Sequence, residues 1–257
     1  MLFNSLDFAI FLPIIFILYW LVINKNLKFQ NLLLVVASYI FYGWWDWRFL
    51  SLIIISSSVD YTIGLKMLHV NSKRTRKILL ILSLFVNIAL LGFFKYYNFF
   101  IENFIVAFSL FGKPLEVSTL KIILPVGISF YTFQTLSYTI DVYRKKLNPT
   151  TNLIDFFAFV SFFPQLVAGP IERAVNLLPQ FEQKRKFNYR HTIDGLRQIL
   201  WGLFKKIVIA DNCAEYANLI FNNSTDYSGS TLLLGVLAFT FQIYGDFSGY
   251  SDIAIGT

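Results

Sequence analysis

Apolar runs separated by short polar turns set the rhythm of this chain. Crossing a bilayer as a helix takes about 20 mostly apolar residues. Stretches 7–23, 31–45, 49–68, 78–101, 122–140 and 232–255 meet or approach that length, and each predicts a transmembrane helix. Run 31–45 reaches it only when extended at both ends. Trp44, Trp45 and Trp47 cluster beside Arg48, as an interfacial aromatic belt requires. No internal repeat and no low-complexity tract interrupts the pattern.

One oily segment behaves differently. "FAFVSFFPQLVAGPIERAVNLLPQF", residues 157–181, starts like a span, meets Pro164, Gly169 and Pro170, and turns at once into Glu172 and Arg173. The polar turns assign sides. Loop 66–77 carries Lys66, Lys73, Arg74, Arg76 and Lys77, loop 24–30 carries two lysines, and "DVYRKKLNPTTN" is basic again. Basic loops stay cytoplasmic, so the N-terminus is expected outside. Loop 171–190 is basic as well, so a crossing by 156–168 would put its charges on the wrong side. The run is also too short, and Gly169–Pro170 ends any helix there. A re-entrant element that enters and returns on the cytoplasmic side removes both conflicts, because irregular backbone at membrane depth is tolerated when protein buries it. A buried loop without functional surface meets the same constraint. The next stretch, "TIDGLRQILWGLFKKIVIADNCAEYANLIF", is interrupted by Lys205 and Lys206; a tilted span and an interfacial helix with snorkelling lysines both fit it.

Composition agrees with the pattern. Of 257 residues, 56% are hydrophobic and 14% charged, against roughly 25% charged in soluble domains. The expected fold is an all-α polytopic integral membrane helix bundle with a re-entrant element, one membrane-embedded domain over 1–257. The net charge of +7 lies in short loops between apolar runs, which orients spans and forms no stripe for nucleic acid. A single cysteine, Cys213, excludes an internal disulfide and a multi-cysteine metal site. The first apolar run lacks a basic start and a small-residue cleavage site, so it reads as a retained span.

Polar groups within apolar runs mark the candidate chemistry. Gln134, Tyr138 and Asp141 share one helical face, at i, i+4 and i+7. Gln242, Asp246 and Gly249 share another, flanked by Tyr250, and Gly245 with Gly249 forms a GxxxG pair that permits close helix approach. Taken singly, each group reads as a hydrogen bond to a neighbouring helix; together the two faces predict a polar cavity. Asp60, after Ser56, Ser57 and Ser58, is expected to be solvated near the end of its run, and Lys95 to snorkel. His69 reads as solvated, and His191, between Arg190 and Asp194, as a poor general base. Cys213 has no visible activator. No Ser/His/Asp arrangement, phosphate loop or metal-ligand spacing is present.

Four segments in order, "ILPVGISFYTFQTLSYTIDVYR", "FFAFVSFFPQLVAGPIER", "GLRQILWGLFKKIVIADN" and "FQIYGDFSGYSDIAIG", resemble the membrane-bound O-acyltransferases. The resemblance covers nearly the whole chain and is densest over 122–256. Within the family it is most similar to the bacterial branch typified by the membrane subunit of alginate O-acetylation. The resemblance implies a helix bundle pierced by a funnel, in the bacterial inner membrane, where a cytoplasmic acyl thioester such as acetyl-CoA meets the hydroxyl of an exported polysaccharide or cell-wall polymer. It implies no bound cofactor or metal, and an extracytoplasmic acetyltransferase as a partner besides the lipid bilayer. Carried over by motif, Gln134, Pro164, Gly169, Pro170, Glu172, Arg173, Gln242, Asp246, Ser248, Tyr250 and Asp252 shape or line the cavity, together with Tyr138 and Asp141. None of them takes a proton-transfer role. Arg173, Lys205 and Lys206 are placed to hold an anionic donor such as a CoA phosphate, although positive-inside placement accounts for the same charges. The family's catalytic histidine lies downstream of "DFSGYSD", beyond Thr257, so the chain as it stands is expected to be an inactive N-terminal portion. A transporter or channel, and a non-catalytic assembly fragment, remain the alternatives.

Overall fold

Apolar side chains point outward along the longest helices of this protein, which a protein folded in water would not sustain. The computed structural model describes residues 1–22, 26–109, 124–166, 169 and 172–257. In chain order its helices are α1 (Leu6–Ile17), continued by a π-turn (Leu18–Val22), α2 (Leu27–Asp46), α3 (Leu50–His69), α4 (Lys73–Ser109), α5 (Ile128–Tyr143), α6 (Leu153–Val160), α7 (Phe163–Leu166), α8 (Ala174–Glu182), α9 (Tyr189–Phe204), a π segment (Lys205–Ala210), α10 (Asp211–Asn222) and α11 (Gly229–Gly256). No strand occurs among the described residues. Phe85, Ile88, Phe99, Phe100 and Phe104 of α4 are exposed, as are Leu233, Leu237, Phe241 and Phe247 of α11. Three helical runs, Leu27–His69, Lys73–Phe108 and Gly229–Gly256, are long and apolar enough to cross a membrane. The fold is thus an all-α membrane helix bundle.

The observed helices refine the expected ones. The run Leu27–His69 is one in composition but two in geometry: Asp46 adopts an extended backbone (φ −159°, ψ 110°) and caps the short 3-10 turn Trp47–Phe49. The helix expected over 122–140 begins only at Ile128, because Gly127 stands in the left-handed region at φ 76° just after Pro125. In the opposite direction, α4 runs through Glu102 and Asn103 into what reads as a loop. Asn103 is accommodated by donating to its own helix at Phe99 O, 2.7 Å away. At 37 residues, α4 is about 55 Å long, more than a bilayer core needs.

The chain forms two compact units. The first comprises Met1–Trp45, Phe162–Ile171 and Gln183–Thr257. Its core is aromatic: Phe3, Phe8, Phe11, Phe41 and Phe163 pack with Ala37 and Ile253. Phe11 and Phe163 meet edge to face at 5.3 Å. In the same unit α9, the π segment and α10 run antiparallel to α11 at very short range. A Cβ on Gly202 would lie 2.6 Å from Gly249 O, and one on Gly235 would lie 2.8 Å from Ile220 Cγ2. The second unit comprises Asp46–Ser161 and Glu172–Glu182, with α3, α4 and α5 packed together and α6 and α8 laid against α5.

The segment that breaks in the sequence breaks in the structure too. α6 has eight residues and α7 four, about 12 and 6 Å, so neither crosses a bilayer alone. Phe156, Ala158, Phe159, Val160, Ser161, Phe163 and Leu166 are all buried. The backbone groups freed by the break find partners: Phe163 N donates to Ser38 Oγ at 3.1 Å, and Phe159 O accepts from Gln134 Nε2 at 2.8 Å. Protein, not lipid, covers the irregular backbone, which is the condition for placing it at membrane depth.

Candidate functional site

The polar residues of α11 are held by two consecutive lysines. In an α-helix, neighbours point about 100° apart; the π segment Lys205–Ala210 widens the turn so that both ammonium groups reach α11. Lys205 forms an ion pair with Asp252 and donates to Ser248 Oγ at 2.5 Å. Asp252 also accepts from Gln198 Nε2 at 3.2 Å. Lys206 bridges Asp246 and Asp211, each at 2.6 Å, and lies 5.5 Å over the Tyr250 ring. The backbones come close because the facing positions are small: a Cβ on Gly245 would sit 3.0 Å from Ala210 Cβ and 3.2 Å from Lys205 O. The expected role of the GxxxG pair is therefore observed. Gln242 is half-buried on the same helix.

These contacts change two readings of the lysines. Their ammoniums do not snorkel, since each is neutralised by a carboxylate of α11. They are also engaged rather than free for a donor phosphate. The helical run from Tyr189 to Asn222 packs along α11.

The second polar constellation belongs to the other unit. Asp60, expected to be solvated, has no exposed surface. Its carboxylate accepts from Ser83 Oγ, from Asn87 Nδ2 at 2.7 Å and from Thr139 Oγ1 at 3.1 Å. Asn87 Oδ1 accepts in turn from Ser56 Oγ at 2.6 Å and Thr135 Oγ1 at 3.3 Å. The correction has a simple cause, because the partners come from α4 and α5, far away in sequence. A signal for them existed: Ser56/Asp60, Ser83/Asn87 and Thr135/Thr139 are three polar pairs at i, i+4, each on one face of an apolar helix.

The α5 face lies beside this network. Gln134, Tyr138 and Asp141 are buried to within a few per cent. Gln134 holds the end of α6, as described above. The Tyr138 ring meets Phe156 edge to face at 4.7 Å, and its hydroxyl occupies the space above Gly64, where a Cβ would approach it to 2.6 Å. Both carboxylate oxygens of Asp141 are buried without a hydrogen-bond partner. The Gln134 and Asp246 faces fall in different units, and each is closed by partners from its own.

The remaining expected positions are placed as follows. Pro164 is buried in α7. Gly169 is obligatory where it stands, since a Cβ there would lie 2.5 Å from Pro164 O and 3.1 Å from Ala254 Cβ. Pro170 lies outside the described residues. Glu172 is half-buried and accepts from Asn176 Nδ2 at 3.3 Å; Arg173 is exposed and opens α8, its carbonyl accepting from Asn176 N and Leu177 N. Arg185 of the same basic loop is pinned to Asn31 and lies 5.3 Å over Tyr19. His69 and His191 are exposed, and Asp194 pairs with Arg197 at 3.4 Å instead of with His191. Among the described residues no group of three or more His, Cys, Asp or Glu side chains is arranged to hold a metal ion.

No family model matches the chain. It is 44% identical over 263 residues to the probable alginate O-acetylase AlgI of Pseudomonas putida, a match covering all of this chain and 52% of that protein. The counterpart in Pseudomonas aeruginosa is 43% identical, again over the whole chain and 48% of that protein. A peptidoglycan O-acetyltransferase of Helicobacter pylori is 39% identical over 285 residues, covering all of this chain and 53% of that protein. The chain spans about half the length of the curated relatives it matches.

Proposed function

We propose that this chain is part of a membrane-bound O-acyltransferase, and that its protein transfers acetyl groups to hydroxyls of an exported polysaccharide or cell-wall polymer at the bacterial inner membrane. The observation that carries this reading is the pair of matches. Identity is nearly the same to a protein named for alginate and to one named for peptidoglycan. Those acceptors differ, a uronate polymer in one case and an amino-sugar glycan in the other. What the matched proteins share by name is acetyl transfer to a glycan, which also counts against a transport path or a mere assembly role.

Ester formation joins an acceptor oxygen to the acyl carbon of a thioester while the thiol departs with a proton. The resemblance supplies acetyl-CoA as the cytoplasmic donor and an extracytoplasmic acetyltransferase as downstream partner. A protein catalysing this step must keep water from the thioester, and a helix break buried at membrane depth is suited to a shielded cavity. In this reading α6 and α7 form the re-entrant element. The α5 face with Gln134, Tyr138 and Asp141 and the α11 face with Gln242, Asp246, Ser248, Tyr250 and Asp252 each serve their own unit; Pro164, Gly169, Pro170, Glu172 and Arg173 belong to the break in the sequence. Their role is to hold shape, as the pairing of Lys205 and Lys206 with α11 illustrates. Exposed His69 and His191 are assigned no proton transfer.

The test is complementation. The complete gene product would be expressed in an alginate-producing bacterium lacking its own alginate O-acetylase, and in a strain lacking peptidoglycan O-acetylation. Ester-linked acetyl on each polymer would be measured by NMR. Restoration in either strain supports the proposal. Membrane-inserted protein with no acetyl ester on either polymer overturns it.

A further inference from the structure

Arg76 gathers three helix ends of the second unit. Its guanidinium donates to Met67 O at 2.5 Å, in the last turn of α3, and to Val142 O at 2.8 Å and Tyr143 O at 3.2 Å, at the end of α5. Arg76 itself stands in the first turn of α4. The exposed cations of these ends are consequently neighbours of one clasp. Lys66 adjoins Met67; Lys73, Arg74 and Lys77 flank Arg76; Arg144, Lys145 and Lys146 follow Tyr143 directly.

Three features make this patch more than a set of loop charges. The chain holds no carboxylate between Asp60 and Glu102 or between Asp141 and Asp155, and Asp60, Asp141 and Asp155 are themselves buried. None of the exposed cations enters an ion pair among the described residues. The basic run after α5 is also fixed in direction: Lys145 takes φ 58°, and Lys146 N and Leu147 N return to Asp141 O at 2.9 and 3.3 Å. Arg76 already neutralises the negative ends of two helix dipoles, which leaves the exposed ammonium and guanidinium groups for another anion. They stand where α3 ends and α4 begins, at the level where apolar helices leave the hydrocarbon layer and meet headgroups.

We propose that this patch binds the phosphates of anionic phospholipids, on the face that the basic loops make cytoplasmic. The proposal does not depend on acyl transfer. Each basic residue near an anionic leaflet contributes about fivefold in affinity, so a constellation of this size retains an acidic lipid against a zwitterionic one.

Native mass spectrometry of the purified full-length protein would count retained lipids. Samples would come from nanodiscs of phosphatidylcholine alone and with a graded share of phosphatidylglycerol. The expected result is selective retention of phosphatidylglycerol, lowered about fivefold per cation in Arg144→Gln/Lys145→Gln/Lys146→Gln. Lys145→Arg/Lys146→Arg should keep it, and Lys95→Gln, an exposed cation further along α4, should leave it unchanged. Equal retention by the triple variant, or an equal loss with Lys95→Gln, overturns the proposal. Displacement of the lipid by inorganic pyrophosphate at comparable concentration assigns the patch to a soluble phosphate ligand and overturns it as well. Should the triple variant fail to fold, wild-type retention is measured against salt: decline with ionic strength supports a phosphate contact, and indifference to salt refutes it.

Discussion

Asp60 illustrates how a single buried carboxylate organises its surroundings. Ser83, Asn87 and Thr139 all donate to it, so removing the acceptor strands buried donors on two other helices. Asp60→Ala should destabilise the protein by about 1–3 kcal/mol per stranded group. Asp60→Asn should cost less, since its amide retains one accepting oxygen. Thermal unfolding in nanodiscs measures both, and equal stability of Asp60→Ala and wild type would remove the network from the account. The lysines of the π segment make a second case. Lys206→Met leaves Asp246 and Asp211 without their shared cation. Those side chains keep 31% and 44% of their surface, so the loss is about 1–3 kcal/mol, below that for a fully buried pair. Lys206→Met/Asp246→Asn should lose less than the two single changes summed, and a double-mutant cycle reads the difference. Strict additivity would mean that the pair contributes nothing.

Between helices, stability rests on how closely backbones approach. Gly249 faces Gly202 O and Lys206 N, where an added Cβ would lie 2.8 and 3.2 Å away, and backbone atoms cannot swing aside. Gly249→Val should therefore push α11 from α9 and pull Ser248 and Asp252 off Lys205, at a cost of about 1–3 kcal/mol or more. Limited proteolysis of the α10–α11 connection, faster in the variant, would register it; an unchanged cleavage rate would contradict the tight packing. The same reasoning explains which helices could be foreseen. α2, α3 and α11 follow from apolar length. The late start of α5 did not, because Pro125 and Gly127 sit in an apolar run whose hydropathy conceals the turn. The break of α6 from α7 was visible, since Pro164 and Gly169 stand inside an oily segment otherwise suited to a helix.

Across the whole chain, the distribution of basic loops predicts sidedness. A background with Cys213 and any cysteine of the complete protein replaced by serine accepts single cysteines at Trp47, Lys145 and Arg173. An impermeant maleimide should label position 47 in intact spheroplasts, and positions 145 and 173 only in inverted vesicles. Labelling of position 173 from outside would mean that 156–168 crosses, and the re-entrant reading would be lost.

Hydropathy, loop charge and the four ordered motifs gave membrane class and family resemblance without coordinates, because each depends on residues adjacent in sequence or on one helical face. The partners of Asp60, the pairing of Lys205 and Lys206 with α11 and the clasp of Arg76 required the folded chain. These are contacts between helices, joining residues 9 to 79 positions apart. A charge or hydroxyl in an apolar run announces that it needs a partner. Which residue answers is set by the packing of the helices around it.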